Sequence, residues 1–411
     1  MKYKKLNIKA IVILCSFLFV LKGNAQQLEI LIEEALKNSP EIQKFELQYN
    51  IASEKVNEAN TIPNTEFGLG YFVTSPETRT GAQRFRISAK QMMPWFGAIT
   101  ARKNYINSLA DAKYEDIVIA KRKLVASVSQ SYYNLYANTA KQMVLTNNIN
   151  LLKTYETLVL TSVEVGKASA VDVLRLQMRQ NELIQLKEIL VQQYLAEKTA
   201  FNKLLNRDKL TEVNVVNELI IPSETSLVNV ENLSLNPELI KYDKLYHSIE
   251  QSEVLNQKES LPMIGFGLDY VNVDKRPNMN FSDNGKDILM PMVSVSIPIF
   301  NKKYKSKTRQ NVLMQQEINA QKQMRLNNLE TVLDTAIKNR VSAVISYKTQ
   351  LNNLKQADAA EKILIKTYES GTIDFKDVLD IQELQLKFQI TQIESIKTYY
   401  KQSTIINYLS N

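Results

Sequence analysis

Asp377 and Asp380 stand three residues apart, just beyond Gly371, so they share one face of any helix that starts there. Two carboxylates at that spacing attract cations. They also suit a helix start, with Asp374 as N-cap and Asp377 three residues on, as Ser169 is placed before Asp172. Other chemistry lacks its parts. The chain of 411 residues has one His, His247, and one Cys, Cys15, which excludes a His-based metal site and an intramolecular disulfide. His247 reads as an ordinary helix residue. Ten glycines are too few for phosphate-cradling loops. Met92, Met93, Met290 and Met292 could bind a soft metal but also fill gaps between packed elements. With no nucleophile beside a base, the sequence offers no catalytic residues, no metal site and no cofactor, and the chain is not read as an enzyme.

The start of the chain is expected to be removed. Lys2, Lys4, Lys5 and Lys9 precede an apolar run from Ile11 to Leu21, and Gly23-Asn24-Ala25 supplies small residues for cleavage. Residues 1–25 therefore read as a secretory signal peptide. Its loss takes Cys15 and five lysines, and lowers the formal charge from +8 to +3. The remaining charge is no nucleic-acid footprint.

The breakers place the elements that must carry Asp377 and Asp380. Residues 98–165 and 299–370 contain neither Gly nor Pro, 68 and 72 positions respectively. Such runs predict very long helices, the shorter reaching roughly 100 Å at about 1.5 Å per residue. Ile117, Leu124, Leu145, Leu152 and Val159 share one heptad register, with Ser131 and Asn138 as polar interruptions. Val128, Leu135 and Ile149 fill the companion register. Leu176, Leu183, Leu190 and Leu204 continue the pattern beyond Gly166, which predicts an antiparallel hairpin.

The chain is also a tandem repeat. Pro63-x-x-x-Phe67-Gly68-Leu69-x-Tyr71 is echoed by Pro262-x-x-x-Phe266-Gly267-Leu268-x-Tyr270, and Pro94 by Pro298. Asn38-Ser39-Pro40-Glu41 is echoed by Asn236-Pro237-Glu238. Gly166 followed by Asp172-Val173-Leu174-x-x-Gln177 is echoed by Gly371 followed by Asp377-Val378-Leu379-x-x-Gln382. The expected layout is a first repeat at 26–206 with a helix, a strand pair at 64–93 and a hairpin at 98–206. A connector at 207–235 follows, then a second repeat at 236–411 with a strand pair at 263–298 and a hairpin at 299–409. In the strand pairs, Phe67, Leu69 and Tyr71, then Phe85 and Ile87, and later Phe266, Leu268 and Tyr270, then Val293 and Val295, alternate with polar or small residues. Runs of about ten residues with period two fit transmembrane β-strands, with a small soluble antiparallel sheet as the alternative that the signal peptide and the duplicated geometry disfavour. Four strands cannot close a membrane barrel, so the membrane reading demands several copies. Tyr71, Trp95 and Tyr270 fit an interfacial aromatic belt, and Trp95 fits packing against the helix junction equally well.

The repeat, the strand pairs and above all Tyr368-Glu-Ser-Gly371-Thr-Ile-Asp-Phe-Lys-Asp377-Val378-Leu379-Asp380 resemble the TolC family of outer-membrane efflux proteins. The resemblance implies a mainly α fold with a β-barrel part: a homotrimer in which four strands per chain close a twelve-stranded barrel in the bacterial outer membrane, and duplicated hairpins form an α-barrel tunnel in the periplasm. It implies outer-membrane lipid, a periplasmic adaptor and an inner-membrane pump of RND or ABC type as partners, with passive efflux or type I secretion as the function. The Pro94-Trp95-Phe96-Gly97 stretch looks most like the branch paired with RND heavy-metal and drug pumps. By the same resemblance, Asp377 and Asp380 match an acidic ring at the periplasmic entrance, and Asp172 and Tyr368 match a network that ties neighbouring hairpins shut. Val165, Gly166, Gly371 and Thr372 match tips that dock with an adaptor. One departure is Ile373, where the family's best-known gate has an Arg. The competing expectation is a secreted periplasmic coiled-coil scaffold or adhesin without a pore.

Overall fold

The computed structural model describes residues 23–166, 168–222 and 230–410. The expected signal peptide lies outside the described residues except for its last three positions, which open helix α1 (Gly23–Asn38). The chain forms two compact units. One comprises residues up to 43, 118–236 and 327–411, and the other 44–117 and 237–326. Each draws on both halves of the sequence, so the compact units cut across the repeat.

Helix α2 (Pro40–Ala59) starts with Pro40 at its first position, where the missing N–H costs nothing, and Ser39 Oγ accepts the Ile42 N–H at 3.3 Å. The hairpin arms follow the breaker map. Helix α3 (Ala98–Glu164) and α4 (Ala170–Leu204) form the first pair. A 3₁₀ turn (Val230–Leu235) and helix α5 (Pro237–Glu259) precede the second pair, α6 (Lys303–Glu369) and α7 (Phe375–Ser410). Helices α3 and α6 are both 67 residues long and start 205 positions apart, as do α4 and α7.

In the hairpin unit the heptad residues are the core. Leu145, Leu152, Val159, Leu176 and Leu183 are buried together with Tyr368, Phe375 and Val378. Each such side chain contributes about 1.5–3 kcal/mol by leaving water. Val128, Leu135 and Phe201 form a second cluster against α1 and Val213. The connector is fastened rather than loose: the Tyr132 and Tyr136 hydroxyls accept the Val216 and Leu219 N–H groups at 3.0 and 3.1 Å.

In the other unit, strands β1 (Thr65–Tyr71), β2 (Glu77–Thr78), β3 (Gly81–Met93), β4 (Met263–Asp274) and β5 (Ile288–Ser296) make one antiparallel sheet. Its order is β1-β3-β4-β5, with β2 a short flap on β3. The two strand pairs thus join through β3 and β4, with Ile87 opposite Tyr270 and Ala89 opposite Leu268. Register puts Phe67, Leu69, Ile87, Leu268, Tyr270 and Val293 on one face. That face is open: Phe67 is 78% exposed, Leu69 80% and Val293 71%. The opposite face carries Gly68, Ser88, Arg86 and Asp269, the last two ion-paired. Among the described residues, β1 and β5 each have one neighbour, so both edges are unpaired. No helix among the described residues is long and apolar enough to cross a membrane.

Candidate functional site

The hairpin tips are built by two glycines. Gly166 and Gly371 have φ of +74° and +77°, a left-handed backbone that costs a residue with a Cβ about 1–2 kcal/mol. At the second tip the Gly371 N–H donates to the Tyr368 carbonyl at 2.8 Å, and the Thr372 N–H to the Thr367 carbonyl at 3.2 Å. This paired closure satisfies the last carbonyls of α6. The Gly166 N–H likewise reaches the Val163 carbonyl at 2.9 Å. Among the described residues, nothing beyond the adjoining residues comes within 4 Å of where a Cβ would stand on either glycine. Val165 and Thr372 beside them are exposed. The tips are small, open knobs.

The two helix starts beyond the tips are equivalent in sequence but not in charge. Ser169 caps α4, its side chain accepting the Val171 N–H at 3.2 Å. Asp172 is buried and pairs with Arg175 at 3.2 Å. The positions 205 further on are Asp377 and Asp380, so an acid replaces the arginine. Both are exposed on the first turns of α7, and neither forms an ion pair among the described residues. The second tip therefore presents two uncompensated carboxylates, whereas the first presents an acid and a base. The Asp377 N–H bonds the Asp374 backbone carbonyl at 3.2 Å. Ile373 packs against the core of the tip.

Tyr368 and Asp172 do not meet as a bonded pair in the chain. Tyr368 is buried edge-on against Phe375, ring centroids 5.1 Å apart, and its hydroxyl has no partner among the described residues. Asp172 is engaged by Arg175 instead, a partner three residues away on its own helix.

Beneath each tip lies a node that the sequence reading overlooked. Glu156 of α3 accepts Gln177 and Gln180 of α4, both at 2.8 Å. The same residues recur 205 positions on: Glu361 of α6 accepts Gln382, and Gln385 at 2.8 Å, from α7. The two glutamines hold the Glu156 carboxyl below the usual carboxylate range. The second node has an addition, because the Tyr155 hydroxyl donates to Glu361. Burial, then the neighbouring carboxylate, pushes the Tyr155 phenol well above its ordinary value. The constant offset and the Glu-to-Gln spacings were the signal that could have found both nodes.

In the sheet unit, Tyr71 is exposed on the apolar face. The Tyr270 hydroxyl donates to Asp287, and Trp95 lies edge-on to Phe96 with ring centroids 6.0 Å apart. Phe96 is exposed and Trp95 is at the margin of exposure. Beyond the strand ends, the loops interlock through Arg79 and Asp283 at 3.1 Å, and through Arg276 and Glu77 at 3.2 Å.

The fold is shared with solved outer-membrane channels. The chain matches CusC, described for the conformational changes that accompany its folding and transmembrane channel formation, with TM-score 0.77 and 14% identity over 94% of this chain and 92% of that one. It matches the outer membrane protein VceC from Vibrio cholerae at TM-score 0.74, with 16% identity over 94% and 96% of the two chains. The Campylobacter jejuni CmeC outer membrane channel matches at 0.73, with 13% identity over 93% and 85%. No family model and no curated protein matches the sequence. The chain has the TolC-type channel fold that its motifs lead one to expect.

Proposed function

We propose that the chain is the outer-membrane exit duct of a tripartite efflux or secretion system, conducting passively from periplasm to exterior. The observation that carries this reading is the four-stranded sheet with an exposed apolar face and two unpaired edges. Such a sheet is stable in a bilayer only when its edges are closed. Copies of the chain joining β5 to β1 close it, and three copies give twelve strands, enough to surround a lumen. The fold shared with outer-membrane channels supports the same reading. The hairpins then form the periplasmic tunnel. The tips at Val165, Gly166, Gly371 and Thr372 offer the small exposed knobs that an adaptor can grip, below an inner-membrane pump of RND or ABC type. Asp377 and Asp380 from three chains set six carboxylates around the entrance, favouring cations there as acidic rings do in channels. In the assembly, Asp172 and Tyr368 belong to the closing network that ties neighbouring hairpins together. Tyr71, Trp95 and Tyr270 lie at the membrane interface. A pore-free periplasmic scaffold would leave the apolar face of the sheet in water.

The native mass of the detergent-solubilised assembly tests this. Three chain masses, recovered from the outer-membrane fraction, are expected. A single chain soluble without detergent overturns the proposal.

A further inference from the structure

At one end of the sheet the strands give way to helices. The registers of Thr65 with Gln91, Met93 with Ile264 and Met263 with Ser296 bring all four strand ends together there. An apolar collar follows, with Phe96 81% exposed and Phe300 98%. The open apolar face of the sheet runs toward it along Val293, Val295 and Ile297, all exposed. Directly beyond the collar stand Lys302, Lys303, Lys305, Lys307 and Arg309, five cations in eight positions. None of them forms an ion pair among the described residues, and the first turn of α6 holds no acid. They crowd the positive end of the helix dipole, so their mutual repulsion is not relieved by these residues.

The side of α6 that packs on α5 is a different one. Asn256 donates to the Tyr304 carbonyl at 3.0 Å and to the Thr308 hydroxyl at 3.1 Å, and Asn311 donates to Glu253 at 2.8 Å. Lys302, Lys305 and Arg309, spaced three and four apart, make one exposed stripe turned away from that contact. The junction does not need this stripe in order to fold. The positions 205 earlier are Gly97, Ala98, Thr100, Arg102 and Asn104. Only Arg102 is charged, and Glu259 neutralises it at 2.9 Å. The first repeat thus makes the same passage from strand to helix without a basic cluster.

We infer that the basic stripe docks on the anionic phospholipid headgroups of the leaflet that faces the periplasm. The collar and the sheet face belong in hydrocarbon, and the stripe begins just past them. From Lys302 to Arg309 the helix rises about 10 Å, at about 1.5 Å per residue. The headgroup layer is roughly 5–8 Å deep on each side of a bilayer, so the whole stripe lies at or beside it. Lysine and arginine stems can lie along the apolar collar while their charged heads reach phosphate. An anionic membrane surface attracts basic segments placed in this way. The contact sets the depth at which the sheet sits. The inference rests on the duct proposed above.

Lipid retention by the full membrane-extracted assembly tests it. The protein is reconstituted in vesicles of equal parts phosphatidylcholine and phosphatidylglycerol, extracted again, and the lipid that stays with it is quantified by mass spectrometry. Phosphatidylglycerol is expected to be enriched about tenfold over phosphatidylcholine. Lys302→Gln/Lys305→Gln/Arg309→Gln should bring the ratio to within about twofold of parity. Lys348→Gln/Lys355→Gln/Lys362→Gln removes the same charge from exposed positions further along α6 and should leave the enrichment intact. Extraction in about 1 M salt, where screening acts within about 3 Å, should abolish it. No enrichment in the unaltered protein overturns the inference, and so does an equal loss in both triple variants. Loss of the oligomeric mass in the stripe variant also overturns it, because a second copy then occupies the stripe. A chain soluble without detergent ends the duct as well, whereas a membrane-extracted oligomer with no lipid preference ends this inference alone.

Discussion

At the scale of residues, the entrance is defined by one exchange between repeats. Asp172 has Arg175 three positions on, and Asp377 has Asp380. The first pair neutralises itself and the second cannot. Replacing Asp377 and Asp380 together by Ala should raise single-channel conductance and weaken block by multivalent cations about tenfold, read from current–voltage curves with and without the cation. Unchanged block removes both residues from the entrance. Gly371→Val is expected to cost about 1–2 kcal/mol through its left-handed φ, seen as faster hydrogen exchange confined to the second tip. These features were partly legible in the sequence. The glycines and the acids announced themselves by repetition. The role of Arg175 did not, because an i,i+3 partner forms locally whatever the family pattern implies for Asp172.

Among the elements, the seam between α3 and α7 owes its strength to Glu394. Burial pushes its carboxyl up, but hydrogen bonds and charge from Lys141 and Lys397 outweigh this and hold it below the ordinary value. A depressed carboxyl stabilises fully above its ordinary pKa and loses that contribution as the pH falls from there through its depressed value. Glu394→Gln should therefore cost about 1 kcal/mol near neutrality, discounted for its partial exposure, and almost nothing in acid. Thermal unfolding at several pH values checks this, and a cost that persists in acid contradicts it. Strand predictions are different in kind. Val293→Lys places a charge on the exposed apolar face and should cost about 2–4 kcal/mol in a bilayer, measured by reversible unfolding in lipid vesicles. Heptads and alternation made the helices and strands readable one by one. The pairing of β3 with β4 and the contacts of Lys141, Asn148 and Tyr155 with the second hairpin were not, because each joins segments more than 170 residues apart.

At the scale of the whole molecule, a single chain leaves its surfaces unfinished. Among the described residues, two sheet edges lack partners and one apolar sheet face is left uncovered. Duplication accounts for this. A repeat of 205 positions makes each hairpin resemble its neighbour, so copies of the chain can continue around a ring the contacts found within it. The sequence shows that repetition plainly in its glycines and prolines. The number of copies is a property of ring closure, to which no single residue testifies. The most direct measurement is single-channel recording from the purified, membrane-extracted assembly in a planar lipid bilayer. Discrete, cation-favouring conductance steps that enlarge when Asp377 and Asp380 are replaced are the predicted result. A well-folded assembly that inserts into the bilayer and passes no current contradicts the account.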